Sequence, residues 1–459
     1  MRSATNEAIM KFRSIVVLAL LMTEITAART GFGGDTPAPA GTAGGQVLTL
    51  AEAVSSARAH QPALELARGA LVTSFGQADQ ARAALLPQVN GSASYNRATN
   101  NYVTQPGGTV PAGKPATTTS FATIPLWKAS LSASQLIYDF GETINRWKAA
   151  QVAAEALGES VHITETQIAY NARVAFFTAR AAKDLVGVAR DALANQEKHL
   201  AQVKRFVEAG THPAIDLTQT RADRATAQLQ LITAENTYSV AKASLNQAMG
   251  VERSIDYDLS DEEYPAVEGE DGSVERLVDE AKQLRPEMAN LRLNARSQEL
   301  SLRSAHDMIW PQLSLSGSVY DSGQSLDRTT WNFSGLLVMS VPIYQGGAIR
   351  AQIRQAEGQL RQAKAQLETE SQQVRFDVEQ ARLGIRAAKG AIAAAEDALA
   401  NTRDRLRLAE GRYAAGFGSI IELGDAQVAL TTSAAQKVQA QYQLYTARAQ
   451  LIKALGRNE

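Results

Sequence analysis

Glu422 and Asp425 stand three residues apart, just after the run Arg412-Tyr413-Ala414-Ala415-Gly416-Phe417-Gly418. On a helix that spacing puts both carboxylates on one face. Like charges held close resist simultaneous ionisation, so such a pair favours cations or raised pKa values. If copies of the chain met around an axis, each acid would become a ring. The residues leave a second reading open, because the macrodipole favours acids in the first turn of any helix. Ala209-Gly210-Thr211 and Ala415-Gly416-Phe417 likewise have the form of ordinary C-terminal helix turns. Nothing else points to bond-making chemistry. The five histidines (His60, His162, His199, His212, His306) are scattered, with no pair at metal-ligand spacing. No phosphate-cradling glycine loop or serine nucleophile elbow is present in the sequence. The expectation is a protein that is no enzyme and takes no cofactor.

The elements that carry these residues occur twice. Pro62 and Pro286 lie 224 residues apart, as do Pro87 and Pro311. Further on the offset is 206, pairing Tyr138 with Tyr344, Gly141 with Gly347, Gly210 with Gly416, Leu245 with Leu451 and Gly250 with Gly456. The difference of 18 has a visible source: a Thr/Pro/Gly-rich stretch at 98–120 faces a shorter counterpart at 321–329. One long unit has been duplicated around a loop of variable length.

Each unit reads as helix, strand, loop, strand and a very long helix pair. Thr49-Leu50-Ala51-Glu52 fits a capping box. Pro62 suits the first turn of a second helix, which Pro87 stops. After each of these prolines the apolar period becomes two: Val89, Gly91, Ala93 and Tyr95 alternate with Gln88, Asn90, Ser92 and Ser94. Leu313, Leu315, Gly317 and Val319 alternate with serines in the same way, and the returning segments at 127–134 and 331–341 repeat the pattern. Strands of about ten residues with a small polar face fit a membrane β-barrel wall, although a half-buried sheet in a soluble protein has the same alternation. The four tryptophans (Trp127, Trp147, Trp310, Trp331) lie in or beside these windows, as an interfacial belt requires. From Ile353 through Leu367, and again from Val374 to Leu399, apolar residues recur at alternating steps of three and four. That is a heptad seam, continuing to Tyr413 and matched in the first copy from about Ile144 to Val207.

Composition narrows the setting. The chain has 459 residues, with 46 basic and 47 acidic side chains, so it carries no basic footprint for nucleic acid. Cysteine is absent, which excludes disulfides, thiolate metal sites and a lipid-modified N-terminal cysteine. Lys11 and Arg13 precede the apolar run Ile15 to Met22, with small residues at Thr26-Ala27-Ala28. That is the form of a secretory signal with cleavage near Ala28, translation starting at Met1 or Met10. No segment has 18 consecutive apolar residues, so any membrane crossing falls to strands. Four strands cannot close a barrel, and lipid tolerates no open sheet edge. Self-association is therefore expected: two copies give eight strands, three give twelve, and three leave the wider bore.

The duplicated strand–helix order, the lead-in Leu86-Pro87-Gln88, the exits Tyr138-Asp139-Phe140-Gly141 and Tyr344-Gln345-Gly346-Gly347, and the Ala-Gly tips followed six residues on by an acid carry a resemblance. Over about Val47 to Gly456 the chain resembles the TolC-like outer-membrane efflux family, the outer-membrane factors of tripartite efflux or type I secretion systems. The resemblance implies an α+β membrane protein: a trimeric, 12-stranded outer-membrane β-barrel continuing into a periplasmic α-helical barrel. It implies a homotrimer set in outer-membrane lipid, a periplasmic adaptor protein and an inner-membrane transporter as partners, and a passive exit duct for small molecules. A type I protein-secretion duct is the alternative, and a soluble periplasmic coiled-coil scaffold or adaptor a second one. It further implies that Asp216, Tyr413, Glu422 and Asp425 narrow or hold shut the pore entrance, and that Ala209, Gly210, Thr211, Ala415, Gly416 and Phe417 meet the adaptor. At Gly418 the chain departs from a branch that has a basic latch residue there. The expected organisation is a signal peptide at 1–28, an N-terminal linker at 29–46, a first duct repeat at 47–250, an acidic linker at 251–273 and a second duct repeat at 274–456. The acidic linker holds nine carboxylates between Glu252 and Asp271 and reads as solvated.

Overall fold

The computed structural model describes residues 46–99, 121, 123–252 and 257–457; the expected signal segment and most of the long loop lie outside them. Among the described residues each half of the chain runs short helix, longer helix, two strands, very long helix, long helix. The first half has α1 (Leu50–His60), α2 (Pro62–Ala83), β2 (Gln88–Thr99), β3 (Thr123–Tyr138), α3 (Glu142–Glu208) and α4 (Ala214–Ala248), preceded by β1 (Gln46–Leu48). The second has α5 (Val274–Leu284), α6 (Pro286–Asp307), β5 (Gln312–Gly323), β6 (Thr329–Ser340), α7 (Ala348–Ala414) and α8 (Ile420–Leu455), preceded by β4 (Tyr257–Leu259). Corresponding helices have matched lengths: 11 and 11, 22 and 22, 67 and 67, 35 and 36 residues.

The chain divides into two compact units. The first holds the four-stranded antiparallel sheet, in the order β2-β3-β5-β6. Its register sorts side chains by chemistry. Asn90, Ser132, Ser318 and Ser334 form one cross-strand row, while Gly91, Leu131, Val319 and Phe333 form the next, on the opposite face. Hydroxyls on the polar face meet directly, Ser92 with Ser130 and Ser318 with Ser334, each at 2.8 Å. On the other face Leu131, Trp331, Phe333, Leu337 and Met339 are exposed. The outer edges of β2 and β6 have no strand partner among the described residues. At the end of β3 the chain turns sharply, with Phe140 and Gly141 in the left-handed region at φ 57° and 110°. Asp139 then caps α3, accepting from Thr143 N at 2.7 Å.

The second unit holds most of the helices. Thr49 and Glu52 make the expected reciprocal capping box at the start of α1. The heptad seam of α7 is buried at Val374, Val378, Ala381 and Ile385, packed with Leu451 and Leu455 of α8 and Leu277 and Val278 of α5. A neighbouring cluster joins Phe176 and Phe177 of α3 to Leu245 of α4 and to Tyr442 and Tyr445 of α8.

The acidic stretch is not a solvated linker. β4 pairs in parallel with β1, and Tyr257, Leu259 and Val267 are buried. Glu270, only 5% exposed, accepts from Arg448 through both oxygens at 3.1 Å and pairs with Lys389 at 2.8 Å. Burial pushes the Glu270 carboxyl up, but its bonds to Arg448, Lys389 and the Val267 N–H outweigh that and hold it below the usual range. Asp258 and Asp261 likewise pair with Lys183 and Arg180. Among the described residues Asp258, Asp261, Glu270 and Asp271 thus pair with cations of the long helices, while Glu262, Glu263 and Glu268 stay exposed.

Candidate functional site

The candidate residues gather where the two long helices turn back, all within the second unit. The first turn closes with Gly210 at φ 74° and the Thr211 N–H bonded to the Phe206 carbonyl at 3.0 Å. The second has Gly416 at φ 79° and the Phe417 N–H on the Arg412 carbonyl at 2.9 Å. Both are helix ends that only a residue free to adopt positive φ closes well. Ser419 then caps α8, accepting from the Glu422 N–H at 3.1 Å.

Of the four candidate entrance residues, the structure brings two together. The Tyr413 hydroxyl on α7 donates to Asp216 Oδ2 on α4 at 3.0 Å. Both are buried, Tyr413 at 2% and Asp216 at 7% exposure. Burial, then the hydrogen bond to Asp216 and its charge, push the Tyr413 phenol well above its ordinary range. Tyr413 packs with Val203 of α3, Leu406 and Ala409 of α7, and Leu423 and Ala426 of α8. One carboxylate oxygen thus fastens α4 to α7 inside an apolar cluster.

Glu422 and Asp425 do not join that contact. Glu422 is half-buried and approaches Arg412 at 3.6 Å, whereas Asp425 is exposed and has no ion-pair partner among the described residues. Asp425 instead lines a groove with Gln219 and Asp223 of α4 and Gln427 of α8. The tip residues Ala209, Gly210, Thr211, Ala415, Gly416 and Phe417 are all exposed, and Phe417 carries the largest apolar surface among them.

Sequence reasoning missed four neighbours. His199 rests against the Tyr413 ring at 5.6 Å, and His212 lies 4.8 Å from the same ring while stacking on Phe206 at 4.9 Å. The Gln196 amide donates to Gln427 Oε1 at 2.7 Å in the buried seam. His199, Val203 and Phe206 follow the same three-and-four spacing as the apolar seam, the signal that marks His199 as interior. Among the described residues no three His, Cys, Asp or Glu side chains are placed to hold a metal, and no helix is long and apolar enough to cross a membrane.

Paired amphipathic strands with long helical hairpins define a class, the outer-membrane channels built from strands and an α-helical barrel. The chain belongs to the outer membrane efflux protein family, which it matches over residues 53–251 and 277–457. It is 25% identical over 335 residues to the outer membrane protein TolC of Escherichia coli, covering 68% of this chain and 62% of that protein's length. The fold is shared with a membrane protein of Pseudomonas aeruginosa, at TM-score 0.77, 19% identity and coverage of 89% of this chain and 90% of the other. It is shared also with the MtrE outer membrane channel of Neisseria gonorrhoeae in its open state, at TM-score 0.72, 19% identity and 89% coverage of both chains. The chain is thus an α+β outer-membrane protein of TolC-like fold with a large periplasmic helical extension.

Proposed function

We propose that this chain is the outer-membrane exit duct of a tripartite export system, conducting small molecules passively in a homotrimer. The observation that carries this is the four-stranded sheet. It has hydroxyls on one face, exposed apolar side chains on the other, and no strand on either edge among the described residues. An isolated sheet of that kind is stable neither in water nor in lipid. Three copies joined edge to edge give twelve strands, with the apolar face to lipid and the serine rows to a water-filled bore. In this reading residues 47–250 and 274–456 are two duct repeats, joined through 251–273.

Asp216, Tyr413, Glu422 and Asp425 are assigned to the pore entrance. Ala209, Gly210, Thr211, Ala415, Gly416 and Phe417 are assigned to contact with a periplasmic adaptor, through which an inner-membrane transporter would supply cargo and energy. Exposure of these turns, and of Phe417 above all, supports that assignment. The absence of cysteine offers a clean test. Asn90→Cys on β2, combined in turn with a cysteine at each polar-face position of β6 because barrel closure staggers the strands, should at one register give a disulfide-linked trimer after extraction in mild detergent, and the extracted protein should form pores in planar bilayers. Recovery from the soluble periplasm without detergent, or a clean monomer, would overturn the duct.

A further inference from the structure

We propose that His199 is an acid sensor for the Tyr413–Asp216 contact, its protonated ring drawing Asp216 from Tyr413 and loosening the turn between α3 and α4. The consequence for conduction rests on the entrance assignment above; the sensor itself rests on geometry within the helices. His199 is 8% exposed, and its Nε2 has no hydrogen-bond partner among the described residues. A neutral imidazole tolerates that position at moderate cost. An imidazolium does not, because both ring nitrogens then carry protons that need acceptors.

The ionisable groups that bear on the ring are few. Asp216 and Asp223 reach it from α4, and Tyr413 lies against it from α7, with His212 on the same tyrosine. α8 contributes Leu423 and Ala426 to the cluster, neither of them ionisable. Among the described residues the anions whose charge bears on the ring are therefore these two aspartates, and one of them already accepts the Tyr413 hydroxyl. Charging His199 attracts the Asp216 carboxylate, whose Oδ2 holds the Tyr413 hydroxyl, and so pulls against that bond.

The direction follows from burial. Burial holds the His199 pKa below its ordinary value, with Asp223 and Asp216 pulling weakly the other way. The fastened state thus prefers the neutral ring, while a loosened state, with water around the imidazole, accepts a proton near the ordinary value of about 6.5. Stability of the contact is fully present above that value and is lost as pH falls through the lower, buried pKa.

Hydrogen exchange of the full chain in detergent, corrected for intrinsic exchange rates, reads the contact directly. Between about pH 7.5 and about pH 5.5, on either side of the free-histidine value, amides of 211–220 should lose protection several-fold. His199→Gln and His199→Asn, which cannot take up the proton, should show the same protection at both values. His212→Gln should keep the wild-type response. Protection independent of pH in the wild type, or an undiminished response in both His199 variants, would overturn the sensor. In planar bilayers acid should raise conductance of the wild type and not of His199→Gln. Acid-dependent exchange in a protein that forms no pores would leave the sensor standing and sink the duct.

Discussion

Tyr413 and Asp216 are 197 residues apart in the chain and meet at 3.0 Å, the only hydroxyl–carboxylate bond joining α4 to α7 among the described residues. Its weight comes from what each group would suffer alone. A carboxylate at 7% exposure that loses its donor bears a desolvation cost of about 1–3 kcal/mol. Tyr413→Phe keeps the ring that fills the cluster and removes only that donor. The variant should loosen the α3–α4 turn at all pH values and raise bilayer conductance. Unchanged exchange at 211–220 would show that packing alone holds the turn.

The two acids of α8 should not be equivalent. Glu422 has Arg412 at 3.6 Å, an exposed pair worth about 0–1 kcal/mol but enough to offset its charge locally. Asp425 has no such partner among the described residues. In bilayer recordings Asp425→Ala should therefore reduce cation selectivity and block by multivalent cations more than Glu422→Ala does, and the double variant most of all. Equal effects from the two single changes would mean that the Arg412 pair is open in the working channel. No effect from any of them would put both acids outside the pore.

Glu270 predicts a different pH dependence. Its pKa is depressed in the folded chain, so the stability it contributes is present above the ordinary carboxylate value and is lost as pH falls through the folded one. Glu270→Ala leaves Arg448 buried without its anion, a change that typically costs about 3–5 kcal/mol. Thermal melting should fall markedly for this variant at neutral pH and converge with the wild type in acid. A constant gap down to about pH 3, below the ordinary carboxylate pKa, would show that packing rather than charge is lost.

Much of the fold was legible because it is periodic. Alternation at Val89–Tyr95 and Leu313–Val319, and the heptad seam from Val374 to Ile385, depend only on near neighbours in sequence, and each became the expected element. What was illegible depended on partners far along the chain. The run from Glu252 to Asp271 looks solvated until Arg448, 178 residues beyond Glu270, is folded against it. The resemblance names Tyr413 and Asp216 separately as entrance residues, and nothing in their spacing foretells that they bond to each other. Histidine as a residue type carries no hydrophobic signal, so His199 reads as one of five scattered histidines even though its place in the seam of α3 marks it as buried.

Gly418 turns the remaining departure from family pattern into a test. A Cβ at this position would stand 3.0 Å from Tyr413 N and 3.2 Å from the Arg412 carbonyl carbon, backbone held by the helix-end bonds of α7. Overpacking of this kind costs about 1–3 kcal/mol. In this chain a basic side chain at 418 would thus displace the backbone that carries Tyr413 before its charge could act. Gly418→Arg and Gly418→Ala should therefore lower the melting temperature alike, and both should loosen the Tyr413–Asp216 contact in hydrogen exchange. If the arginine variant alone reduced conductance while the alanine variant did not, charge would outweigh crowding. The glycine would then be a lost latch rather than a steric requirement.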